Sequence, residues 1–215
     1  MSLVVNEIFY SIQGESTYAG LPCVFVRLTG CNLRCSYCDT EYAYSEGRTL
    51  AVEQILARVA TYGCSLVEIT GGEPLIQKET PTLISALLDH NYSVLLETNG
   101  SRNIGNIDEH CVKIVDFKCP SSGESHQNDL GNLERLAEHD EIKFVIGTRE
   151  DYDYAKRIIE MIHLDPFRSN QVLLSPVFGK LEPKRLAGWI LDDHLNARLQ
   201  LQLHKLLWGP DQRGV

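Results

Sequence analysis

What most constrains this chain is a series of short apolar runs, each ending in a glycine-rich or polar segment. Residues 24–29, 66–70, 93–97, 113–116, 141–146 and 171–174 read as strands. They are near-continuously apolar, as strands covered on both faces are. Helical periodicity falls between them, at 51–62, 80–90, 130–139, 150–163 and 183–193. In the first of these, Val52, Ile55, Leu56 and Val59 form one apolar stripe. Alternating strands and helices predict a parallel sheet. The polar signals Thr70-Gly71-Gly72-Glu73-Pro74, Glu97-Thr98-Asn99-Gly100, Asp116-Phe117-Lys118-Cys119-Pro120 and Ser175-Pro176 close the strands. Parallel βα folds place their active sites at those ends. A closed eight-stranded barrel takes roughly 250 residues, and this chain has 215. The expectation is therefore an α/β fold, a partial (βα)6 TIM-like barrel with a mostly parallel sheet, in one domain over 1–215.

Composition narrows the function. The net charge of −9 and the lack of clustered Lys and Arg argue against a nucleic-acid partner, which would require neutralised phosphates. No apolar run is long enough to span a bilayer. The opening MSLVVNEIFY lacks the basic-then-apolar layout of a secretory signal, so a cytoplasmic protein is expected. Residues 121–128 read as a polar, lid-like loop, and residues 210–215 either reach back to the site or hang free.

Seven cysteines are present, and Cys31, Cys35 and Cys38 fall in one short loop with the spacing C-x3-C-x2-C. Grouped cysteines in a cytosolic chain point to metal or redox chemistry. Soft thiolates select iron–sulfur clusters, zinc or copper(I). A cubane cluster commonly has four cysteine ligands. Three leave one iron open to a ligand. A structural zinc would want a fourth Cys or His nearby, and the loop offers none. A zinc-binding interaction module is the non-enzymatic alternative. Cys23, Cys64, Cys111 and Cys119 read as small buried hydrophobes.

With Tyr37 before the last cysteine, the loop resembles the signature of the radical S-adenosylmethionine (SAM) superfamily. The resemblance implies a [4Fe–4S] cluster on Cys31, Cys35 and Cys38, with SAM on its open iron. Hydrogen abstraction would then fall to a 5′-deoxyadenosyl radical rather than to any side chain. Gly71-Gly72-Glu73-Pro74 matches the superfamily's GGEP segment and Glu97-Thr98-Asn99-Gly100 resembles its ETNG segment. The positions so implied to hold SAM are Tyr37, Gly71, Gly72, Glu73, Asn99, Lys118 and Ser121.

The start of the chain narrows the resemblance. Ile12-Gln13-Gly14-Glu15, then Gly20-Leu21-Pro22, Phe25-Val26-Arg27 and Cys38-Asp39-Thr40 are similar to the 7-carboxy-7-deazaguanine synthase family, with Ser16 in place of its usual glycine. The resemblance implies a ring contraction of 6-carboxy-5,6,7,8-tetrahydropterin with loss of ammonia. It also implies magnesium on Thr40, a flavodoxin or ferredoxin as reductant, and a homodimer. Ile12, Gln13, Gly14, Glu15, Arg27, Thr70 and His204 are the implied substrate contacts. Arg27 offers a planar fork to a carboxylate, and Gln13 and Glu15 suit the donors and acceptors of a pterin edge. Activating enzymes of glycyl-radical proteins share the cysteine spacing but lack the Gln-Gly-Glu start followed by Arg27. An RNA-modifying member would want a basic surface, which the charge opposes.

Overall fold

The computed structural model describes residues 1–162 and 172–215. The strands are β1 (Ser2–Ile12), β2 (Pro22–Leu28), β3 (Arg48–Ala51), β4 (Leu66–Gly71), β5 (Ser93–Thr98), β6 (Val112–Asp116), β7 (Glu141–Ile146), β8 (Val172–Pro176) and β9 (Arg198–Leu199). The helices are α1 (Val52–Ala60), α2 (Thr80–Asp89), α3 (Asn132–Arg135), α4 (Arg149–Met161), α5 (Pro183–Asp192) and α6 (Leu203–Trp208). The strands form one sheet in the order β3-β1-β2-β4-β5-β6-β7-β8-β9. From β2 through β9 neighbours run parallel, and β1 pairs antiparallel with β2 and β3. The edges β3 and β9 do not meet among the described residues, so the barrel is partial, as expected.

All six expected strands are present, while β1, β3 and β9 lengthen the sheet beyond them. β1 shows why it is hard to read. Its exposed and buried positions mix along Ser2–Ile12, because one face packs on the core and it lies near the sheet edge. The helix expected at 130–139 shrinks to α3, Asn132–Arg135. Asp140 instead accepts from the backbone of Ala137 and Lys113 and pairs with Lys113 Nζ at 3.0 Å, which pulls that segment out of helical register. No helix joins β5 to β6. The ends expected at His163 and Gln171 lie outside the described residues.

Three apolar clusters organise the molecule. Val26, Val67, Ile69 and Leu96 on the outer sheet face pack with Ile55, Val59, Leu83 and Leu87 of α1 and α2. Val115, Phe144 and Leu174 pack with Tyr152, Ile158, Leu186 and Ile190 of α4 and α5. Phe9, Cys23, Phe25, Leu66, Leu95 and Ile114 fill the inside of the curl. This inner plug closes one end, so the polar inward residues lie toward the strands' C-terminal ends. Among the described residues no helix is long and apolar enough to cross a membrane.

Candidate active site

Above the plug lies a cavity of about 580 Å³, walled by the β2–β3 loop, the strand ends and residues 210–215. The loop carrying the cysteines is tightly held. Gly30 N donates to Ala43 O at 2.8 Å, Glu73 N to Gly30 O at 2.7 Å, and Ser36 N to Ser122 O at 3.0 Å. Leu33 plugs its base at 2% exposure. Gly72 makes this contact possible: a Cβ there would strike the Gly30 carbonyl oxygen and come within 2.7 Å of Cys31 Cβ. The expected lid at 121–128 is no loose flap. It grips the cysteine loop through Arg34 N to Glu124 Oε1 at 2.7 Å and Ser36 Oγ to Ser121 O at 2.7 Å.

Cys31, Cys35 and Cys38 line the cavity as free thiols. Among the described residues, no three His, Cys, Asp or Glu side chains gather closely enough to hold a single metal ion. A cubane takes each thiolate on a separate iron, so it does not need the three sulfurs at one point. Two further observations fit a cubane carrying a polar cofactor. Leu33 N and Asn99 Nδ2 donate to Cys31 Sγ at 3.4 and 3.8 Å, the kind of N–H···S contact that tunes cluster potentials. Asp116 Oδ1, buried on the same wall, has no partner among the described residues. With protein groups alone around them, burial pushes the Cys35 thiol up to about 11 and raises Cys31 as well. Cluster binding would hold both as thiolates.

Of the positions expected to hold SAM, Tyr37, Gly71, Gly72, Asn99 and Lys118 line the cavity. Glu73 does not. It is fully buried, and both its oxygens are already taken, accepting from Leu75 N (2.9 Å), Thr98 Oγ1 (2.8 Å) and Asn99 N (2.6 Å). Burial raises its pKa, and those three bonds oppose the rise. These bonds brace β5 against the loop. Ser121 is also absent from the wall, since its N and Oγ donate to Asp151 at 2.8 and 2.6 Å. Lys118 pairs with Asp116 at 2.7 Å. Burial works against its charge, but Asp116 and the nearby Cys35 carry its pKa well above the usual lysine value.

The expected substrate contacts gather on the facing wall. Ile12, Gln13, Gly14 and Glu15 leave the end of β1, Arg27 and Thr70 come from β2 and β4, and Thr40 and His204 close the ring. Arg27 bonds Glu7 at 2.8 Å and lies over Phe9, so it is a fixed inner fork and no surface ion pair. Thr40 Oγ1 donates to Asp39 at 2.9 Å. Asp39 pairs with Lys205, which holds its carboxyl well below the usual range against the pull of burial. Leu203 N donates to Gly14 O at 2.9 Å, and His204 abuts Gly14 so closely that a Cβ there would collide. Burial lowers the His204 pKa and Glu15 opposes it.

Sequence reasoning missed the floor. Lys143 Nζ lies 2.6 Å from Glu15 and 2.6 Å from Glu97, and Gln13 donates to the neighbouring Glu68. Burial opposes the charge of Lys143, but Glu15 and Glu97 hold its pKa well above normal. A signal was present: a lysine and a glutamate two residues apart in the apolar run Glu141–Ile146 point to the same face.

The Radical SAM superfamily matches residues 25–121. The chain is 44% identical to 7-carboxy-7-deazaguanine synthase from Koribacter versatilis, over 98% of this chain and 99% of that protein. It is 45% identical to the synthase from Chlorobaculum tepidum, over 99% of this chain and 97% of the other. The crystal structure of QueE from Escherichia coli superposes with a TM-score of 0.78 at 25% identity, covering 95% of each chain. SuiB of Streptococcus suis bound to S-adenosylmethionine, 14% identical with a TM-score of 0.53 over 80% of this chain and 48% of its own, shares the fold alone. With a cysteine loop, a curled parallel sheet and full-length relatives all in agreement, the chain belongs to the 7-carboxy-7-deazaguanine synthase family of radical SAM enzymes.

Proposed function

We propose that this chain contracts the ring of 6-carboxy-5,6,7,8-tetrahydropterin to 7-carboxy-7-deazaguanine with release of ammonia, in 7-deazapurine biosynthesis. The single observation that carries this reading is one cavity that holds both the three-cysteine loop and, facing it, a fixed Arg27 with a carboxylate–lysine floor. When bound, the cluster and SAM supply a 5′-deoxyadenosyl radical that takes a hydrogen atom from the substrate and returns one to the product.

The protein's own task is binding, orientation and exclusion of water. Cys31, Cys35 and Cys38 would hold the cluster. The open backbone at Gly71 and Gly72, together with Asn99, Tyr37 and Lys118, suits SAM. Arg27 would grip the substrate carboxylate bidentately, while Thr40 Oγ1 and that carboxylate would share a magnesium ion, a cation that takes oxygen donors and keeps waters. Gln13, Glu15, Thr70 and His204 would fix the ring. Phe9 and Phe25 make the near wall apolar, which limits quenching of a radical by solvent. A small flavoprotein or iron–sulfur carrier as reductant, a homodimer, a single domain and a cytoplasmic setting complete the proposal. Anaerobic incubation of cluster-loaded protein with SAM, dithionite, Mg²⁺ and the carboxytetrahydropterin should yield the deazaguanine acid. An intact cluster that cleaves SAM yet gives no such product would reject the assignment of substrate.

A further inference from the structure

The cysteine loop carries one charged side chain that stays outside the cavity wall, the exposed Arg34. Its guanidinium is pinned to the loop. Nη1 donates to Cys31 O at 2.9 Å and to Leu33 O at 2.7 Å, and Cζ lies 4.2 Å from the centroid of the Tyr44 ring. Both carbonyls belong to the turn between Cys31 and Cys35. Among the described residues no carboxylate pairs with this guanidinium, and Glu124 accepts from Arg34 N instead, at 2.7 Å. Lys118, also close to the thiols, is offset by Asp116 at 2.7 Å. Tyr44 is fixed as well. It ends the short helical turn Glu41–Tyr44, which Gly30 N anchors through Ala43 O at 2.8 Å. It lines the cavity beside Cys38. Burial raises the Tyr44 pKa, and a bond from its hydroxyl to Cys38 adds to the rise. A cation, an aromatic ring and a hydroxyl thus run in sequence from solvent to Cys38.

We propose that Arg34, stacked on Tyr44, raises the reduction potential of the iron–sulfur cluster, so that a milder one-electron donor can reduce it. Reduction moves one electron from the donor to the cluster and makes or breaks no bond. A fixed positive charge stabilises the form that holds the extra electron. A hydrogen bond to a ligand sulfur acts in the same direction. Arg34 keeps its charge at every physiological pH. An exposed guanidinium that swings free contributes little, but two carbonyls and a ring hold this one against the loop. Arg34 does not line the cavity, so it works through its field and not by contact with the reacting molecules. The inference needs the cluster and not the identity of the substrate, so it stands apart from the ring contraction proposed above.

The test is an anaerobic redox titration of the cluster-loaded enzyme, read by the electron paramagnetic resonance of the reduced cluster and not by turnover. SAM is left out so that its cleavage does not consume the electrons. Arg34→Gln keeps a donor for the carbonyls and removes the charge. At the wild-type midpoint and low salt, its reduced-to-oxidised ratio should fall about tenfold, a midpoint about 59 mV lower. In about 1 M salt, where charges are screened beyond about 3 Å, the gap between the two proteins should shrink below about threefold. Arg34→Lys keeps the charge and should titrate within about threefold of wild type. Tyr44→Phe keeps the ring and drops the bond to Cys38, so it should lower the ratio about threefold at either salt level. An R34Q midpoint equal to wild type overturns the inference. So does a gap that high salt leaves untouched, since a distorted loop and not a charge would then cause it. Should R34Q take up too little iron to titrate, the other two variants decide: R34K about tenfold below wild type, or Y44F level with it, overturns the inference equally. Wild type that takes up no iron overturns it together with the cluster. The expected R34Q shift in an enzyme that makes no deazaguanine rejects the substrate proposal alone.

Discussion

Glu68 concentrates at one side chain the electrostatic cost of the cavity floor. Burial, then repulsion from Glu97 and Glu15, push its pKa well above the ordinary 4.5, while Gln13 donates to it. Below pH 4.5 both folded and unfolded chains hold this proton. Above that, the unfolded chain releases it and the folded chain keeps it. The contribution to stability is therefore full below 4.5 and is lost as pH rises toward the folded value. A mismatch of one proton is worth about 1.4 kcal/mol per pH unit. Glu68→Gln preserves the shape of the protonated acid and removes the titration. Urea unfolding from about pH 5 to about pH 7 should give the variant a more favourable stability trend with rising pH than wild type has, and a stability at pH 7 no lower. Parallel curves for the two proteins would mean that Glu68 ionises normally in the fold.

The site depends on how elements meet, above all where the cysteine loop crosses the end of β4. Gly72 N donates to Leu28 O at 3.3 Å, and its Cα faces Gly30 and Cys31 so closely that no side chain fits. Gly72→Ala forces loop and strand apart. Overpacking of this kind costs about 1–3 kcal/mol, and the three thiols lose their common orientation. Iron bound per chain after anaerobic reconstitution should fall, together with the melting temperature of the apoprotein. Full iron loading at an unchanged melting temperature would show that the contact gives way without consequence. The same scale explains what the sequence revealed. The six parallel strands were legible because each is an apolar run ended by glycine or polar residues, a signal carried within the run itself. β1 and α3 were not, since β1 alternates by virtue of its partner and α3 is cut short by Asp140, distant contacts that no local window contains.

At the scale of the whole molecule, the cavity is assembled from both ends of the chain. Leu203 N bonds Gly14 O, Gln202 bonds Glu15 at 3.1 Å, and Lys205 pairs with Asp39 beside Cys38. Motif residues such as Cys31, Gly72 and Arg27 were readable because their spacing is local. Lys143 and Lys205 were not, because their roles come from closing the curl. At Glu73 the motif was clear, while the bonds its side chain accepts from Leu75, Thr98 and Asn99 were legible only in the fold. The last piece of the wall, residues 210–215, is held mainly by Arg213, which lies 3.7 Å from the Tyr42 ring centroid and 3.1 Å from Glu46. Arg213 and Glu46 are both more than half exposed, so each contact is worth at most about 1 kcal/mol. Such a segment opens without unfolding the rest. Arg213→Ala should therefore leave the global melting temperature nearly unchanged. Amide hydrogen exchange across 211–214 should speed up by about fivefold, the factor that 1 kcal/mol of local opening provides. Exchange as slow as in wild type would mean that the wall is held by the packing of Pro210 and Val215 instead.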